Sequence, residues 1–102
     1  MLAITAKVRL LKEEVFSAIN VCKDIIGALE GLESNSDYRK EIGIFAVQMP
    51  DWKILADERI KAVNLIRQVC SGEFSPSKAI DLFRSALKEL ETLNSWLQIP
   101  RK

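Results

Sequence analysis

An unbroken heptad stripe runs through the first third of the chain. Ile4, Val8, Leu11, Val15, Ala18, Cys22, Ile25, Leu29 and Leu32 follow one another at alternating intervals of four and three residues, the spacing that keeps apolar side chains on one edge of a long helix. With Val8, Val15, Cys22 and Leu29 as a positions, the d positions are Ile4, Leu11, Ala18, Ile25 and Leu32, and Lys7, Lys12 and Glu14 form charged flanks. Further on the flanks turn apolar. Ile19, Val21, Ile26 and Ala28 widen the stripe beyond a two-stranded seam, so residues 18–29 need cover from more than one helix.

The rest of the chain repeats this logic in shorter pieces. Gly31 is a candidate left-handed cap, and Ser34-Asn35-Ser36 reads as a polar turn. Ser36 or Asp37 can cap a second helix carrying Tyr38, Ile42, Phe45 and Met49, which Pro50 stops or kinks. A third helical pattern runs from Trp52 through Leu55, Ala62, Val63, Ile66 and Val69 to Ser71-Gly72. The fourth begins with Ser75 as cap and Pro76 at its first position, with Phe74 placed to staple onto Ala79. Its stripe is Ala79, Phe83, Ala86, Leu90, Leu93 and Leu97, and Pro100 closes it.

Helices near 2–31, 37–48, 51–71 and 76–98, joined by short loops, predict an all-α fold: a four-helix up-down antiparallel bundle with a long first helix. A chain of 102 residues holds one such domain, spanning 1–102. The first helix, roughly 45 Å long at about 1.5 Å per residue, overhangs the others. The expected overhang is its N-terminal end, where the stripe is narrow.

Composition limits the chemistry. With 15 basic and 14 acidic residues the net charge is +1, which invites no polyanion. There is no histidine, which removes the usual neutral-pH base and the Glu-x-x-His ligands of di-iron bundles. Cys22 and Cys70 are far apart and sit among apolar neighbours, as small buried hydrophobes in a reduced, cytoplasmic protein do. No uncharged apolar run approaches the ~18 residues of a membrane span, and charge interrupts Met1–Lys7 too early for a secretory signal.

Motifs that could carry catalysis have simpler structural accounts. Ser75-Pro76-Ser77-Lys78 matches S-x-x-K, yet it lacks a K-T-G companion and Ser75 is already a helix cap. Glu30 and Glu33 stand one turn apart but have no E-x-x-D on a following helix to complete a magnesium site. Neither a catalytic residue, a metal ligand nor a cofactor is assigned. Basic residues cluster only at Lys7, Arg9 and Lys12 and at Arg101-Lys102, too thinly for a nucleic-acid footprint. No helix pairs a basic face with bulky apolar residues as a membrane-surface helix does. Gly27 and Gly31 form G-x-x-x-G, which near the end of a soluble helix suits fraying and capping.

Two features bear on recognition. Phe45, Met49 and Trp52 gather around the Pro50 corner, where Phe45 and Met49 share a helical face with Tyr38 and Ile42 and so suit core packing first, and Trp96 lies off the stripe of the fourth helix; Trp and Met are also over-used at recognition surfaces. These four are the candidate partner-binding residues. The first helix also carries Lys7, Arg9 and Lys12 at its start and Asp24, Glu30 and Glu33 toward its end, the order its dipole disfavours. Two copies running antiparallel would satisfy both ends, with Ile4, Val8, Leu11 and Val15 as the dimer seam. The expectation is a non-enzymatic protein-protein interaction module, of adaptor, immunity or regulatory type, acting through a bundle face as a homodimer. The alternative is a bundle that binds a small molecule or lipid in an internal apolar pocket.

Overall fold

The computed structural model describes residues 2–35 and 37–98, with the side chains of 6–35, 37 and 39–98. Among the described residues the chain is all-helical. Its four helices are α1 (Leu2–Ser34), α2 (Tyr38–Val47), α3 (Ala56–Ser71) and α4 (Pro76–Gln98).

The 33 residues of α1 set the length of the molecule, whose principal extents are 50 × 21 × 17 Å. The helix is unbroken, and Gly31 does not end it: the polar run at 34–35 does, where the Asn35 amide donates to the Gly31 carbonyl at 2.9 Å. Val15, Ala18, Cys22, Ile25, Leu29 and Leu32 are buried, as are Ile19, Ile26 and Ala28 on the widened flank. The stripe widens because α1 meets both α2 and α4.

The turn after α1 uses Asn35, whose Oδ1 accepts from the Asp37 amide at 3.0 Å. Asp37 makes no side-chain cap on α2, and Ser36, the other expected cap, lies outside the described residues. α2 ends at Val47 rather than 48, so Met49 stands beyond it, at the corner. Gly72 closes α3 in the left-handed conformation, φ 83°. Its amide donates to the Val69 carbonyl and that of Glu73 to Gln68, the Schellman pattern. α4 begins at Pro76, and its first helical bond runs from the Ala79 amide to the Ser75 carbonyl at 3.0 Å. The expected stop at Pro100 lies outside the described residues.

α4 packs chiefly on α1, α2 packs on α3, and α3 barely touches α4. The burial pattern of α4 reflects this. Ala79, Ile80 and Phe83 are buried, Leu90 is half-buried and Leu93 is exposed. The apolar stripe of α4 is therefore closed near its start and open toward its end.

Candidate functional site

The third helix begins five residues later than its apolar pattern suggests, at Ala56 instead of 51. The reason lies in α1. Glu14, only 6% exposed, accepts the amides of Lys53 (2.9 Å), Ile54 (2.8 Å) and Leu55 (2.9 Å). Three consecutive donors at a helix entrance converge on one carboxylate, which also meets the positive pole of α3. Burial pushes the Glu14 carboxyl upward, but the three amide bonds and the nearby Lys53 ammonium outweigh it and hold the group below its ordinary value. It is an ionised anchor.

Two further bonds fix the same corner. The Trp52 indole Nε1 donates to Ser17 Oγ at 3.1 Å. Arg59 Nε donates to the Pro50 carbonyl at 2.9 Å. The 50–55 segment is thus tied to α1 by two side chains and to α3 by a third.

α3 and α4 barely touch, and a groove of about 490 Å³ lies between them. Ala18, Cys22 and Ile25 of α1 lie along its floor, with Met49, Trp52 and Leu55 contributed by the corner. Its walls are α3 (Ala62, Leu65) and α4 (Leu82, Phe83, Ala86, Leu90, Leu93). The space exists because alanines occur on all three helices, Ala18, Ala62 and Ala86, where larger side chains would close it. Polar groups are confined to Glu58 and Lys61 on the α3 side and Glu89 on the α4 side, all three exposed.

Measured between Leu82 and Leu93, the groove extends about 16 Å at 1.5 Å per residue. Its apolar lining suits apolar side chains presented along that length.

The expected partner-binding residues separate on this geometry. Trp52 is 7% exposed and Met49 is likewise buried, so both are core residues whose edges reach the groove. Of the two roles open to this corner, Met49 and Trp52 take that of core, drawn onto α1 by the bonds to Glu14 and Ser17. Phe45 is half-buried and packs against the core. Trp96 is exposed, at 68%, and does not line the groove.

The expected dimer seam divides as well. Val15 is fully enclosed by its own chain and cannot meet a second molecule, which corrects that assignment. Leu11 is half-buried against the core and Val8 is 41% exposed. The side chain of Ile4 lies outside the described residues.

Sequence reasoning missed Glu14. In the heptad register it is a flank residue like Lys7, one heptad earlier, and its partners lie some forty positions away. No local signal marks it: the apolar pattern starts the third helix near 51, and only the fold shows that Leu55, which has no side-chain cap to offer, precedes α3.

Both cysteines are free. Burial pushes the Cys22 thiol up to about 11. Cys70 is also raised, by burial, less an opposing effect of Arg39. Among the described residues no group of three acidic or thiol side chains could hold a metal ion, and no helix is long and apolar enough to cross a membrane. Comparison with known proteins finds no matching family model, no matching curated protein and no matching solved structure.

Proposed function

We propose that the protein is a non-enzymatic interaction module, an up-down antiparallel four-helix bundle that receives the apolar edge of a partner's amphipathic helix in the groove between α3 and α4. The groove carries this reading. Its length suits about three helical turns, the span of side chains at i, i+4 and i+7, and its polar groups are confined to the lips. The only buried carboxylate among the described residues, Glu14, is occupied by three backbone amides and is engaged in holding the groove wall. Two free thiols, both raised, suit a reducing, cytoplasmic setting.

The test is amide NMR of the full chain titrated with a synthetic helix bearing Leu at i, i+4 and i+7 and Lys on its flanks. Saturable shifts at Ala62, Ala86 and the Trp52 indole are expected, and Ala86→Leu should weaken binding at least tenfold. Titration without saturation, or shifts equally strong in the filled variant, would overturn the reading.

A second reading takes the groove as a site for a small apolar molecule or lipid. Its volume falls in the range of about 300–1,000 Å³ typical of such sites. Native mass spectrometry separates the two: a retained small-molecule mass on purified protein supports the second reading only.

A further inference from the structure

We infer that the groove receives the start of α1 from a second copy of this chain, each copy filling the other's groove across a two-fold axis. The inference rests on the groove being a docking surface for a helix and names its occupant.

Charge is the first observation. The groove's lips carry Glu58 from α3 and Glu89 from α4, against Lys61 alone, so they are net acidic. Neither glutamate is ion-paired; among the described residues the one ion pair is Arg84 with Glu30. The start of α1 has the opposite character. Lys7, Arg9 and Lys12 are exposed there, with Glu13 as the only exposed acid. No acidic residue stands in the first turn of α1, so the positive pole of its dipole adds to those charges instead of being offset.

The exposed surface of the start of α1 is the second observation. Among the described side chains at the start of α1, those of 6–9 are exposed, Leu10 and Leu11 are half-buried, and full burial begins at Glu14. Val8 is the exposed apolar residue there, between Lys7, Arg9 and Lys12, while Leu11 one turn on packs partly against the core of its own chain. A groove and its occupant on the same chain close into a two-fold dimer when each copy supplies both.

The experiment is sedimentation equilibrium on the full chain, with circular dichroism confirming that each variant folds. Wild type should be a dimer at micromolar concentration. Lys7→Glu with Lys12→Glu should raise the dissociation constant about tenfold or more, and so should Glu58→Lys with Glu89→Lys. An equimolar mixture of the two reversed proteins should dimerise again, because each repairs the other's charge. Ala86→Leu, which fills the groove without touching charge, should also dissociate the dimer.

A dimer indifferent to the reversals and to Ala86→Leu overturns the inference, as do reversals that dissociate it without rescue on mixing. A wild-type monomer at hundreds of micromolar overturns it too. In that case saturable binding of the synthetic Leu and Lys helix leaves the docking groove standing, whereas its absence removes both.

Discussion

The Glu14 carboxylate of α1 accepts the Leu55 amide at 2.9 Å across 41 positions of sequence. The same oxygen, Oε1, takes the Ile54 amide, and the other takes that of Lys53. The entrance of α3 is therefore capped by a different helix, and the groove wall stands where that cap puts it.

Removing the cap should be costly. Glu14→Ala leaves three amides without their acceptor in a largely buried place, at about 1–3 kcal/mol for an unsatisfied group, offset where water reaches it. A loss of about 2–4 kcal/mol is expected in urea unfolding. A change below about 1 kcal/mol would show that the three bonds contribute little net stability.

The same anchor makes stability depend on acid. The Glu14 carboxyl is held below its ordinary value of 4.5, so the unfolded chain binds its proton more readily than the folded one. Its contribution is fully present above that ordinary value and is lost as pH falls below it, through the lower folded value. Urea midpoints of wild type and Glu14→Gln should differ most near neutral pH and converge in acid. A gap that stays constant from neutral pH to pH 3 would contradict the assignment.

Trp52→Ala should unfold the corner rather than merely blunt a surface. Its indole is buried and bonded to Ser17, and truncating a buried aromatic costs about 3–5 kcal/mol. Trp96→Ala, at an exposed site, should stay within about 0.5 kcal/mol of wild type. Thermal unfolding of the two variants side by side makes the comparison.

Gly27→Ala should stabilise the protein. Gly27 sits inside α1, and a methyl group there meets nothing within 4 Å. Glycine in a helix interior costs about 0.5–1 kcal/mol relative to alanine, so the Tm should rise by a few degrees. An unchanged or lower Tm would mean that this turn of α1 gains nothing from a better helix former.

The two thiols should separate in an alkylation time course. At about 11 for Cys22, only about one thiol in ten thousand is ionised at neutral pH, and it is buried. Cys70 is partly exposed, with its Sγ 3.8 Å from the Arg39 carbonyl. Peptide mass analysis after iodoacetamide should find Cys70 modified first, and Cys22 modified fast only in denaturant.

The heptad spacing of residues 8–32, the Pro76 start and the Gly72 stop were legible because each is a local matter. A side chain's face on a helix follows from its position modulo the helical period, and a cap from the backbone conformation its own residue tolerates. What those spacings do not contain is distance across the molecule. Glu14 and Lys7 occupy equivalent places in the heptad, yet one is caged and the other exposed. The difference arises only when the Pro50 corner folds onto α1. Met49 and Trp52 share that fate: apolar and near a proline, they suit a core or a surface until Ser17 and Glu14 draw them inward. The groove is likewise a tertiary product. Ala18, Ala62 and Ala86 are unremarkable singly, and become a cavity because three helices bring them to one place, where no side chain is long enough to fill the gap.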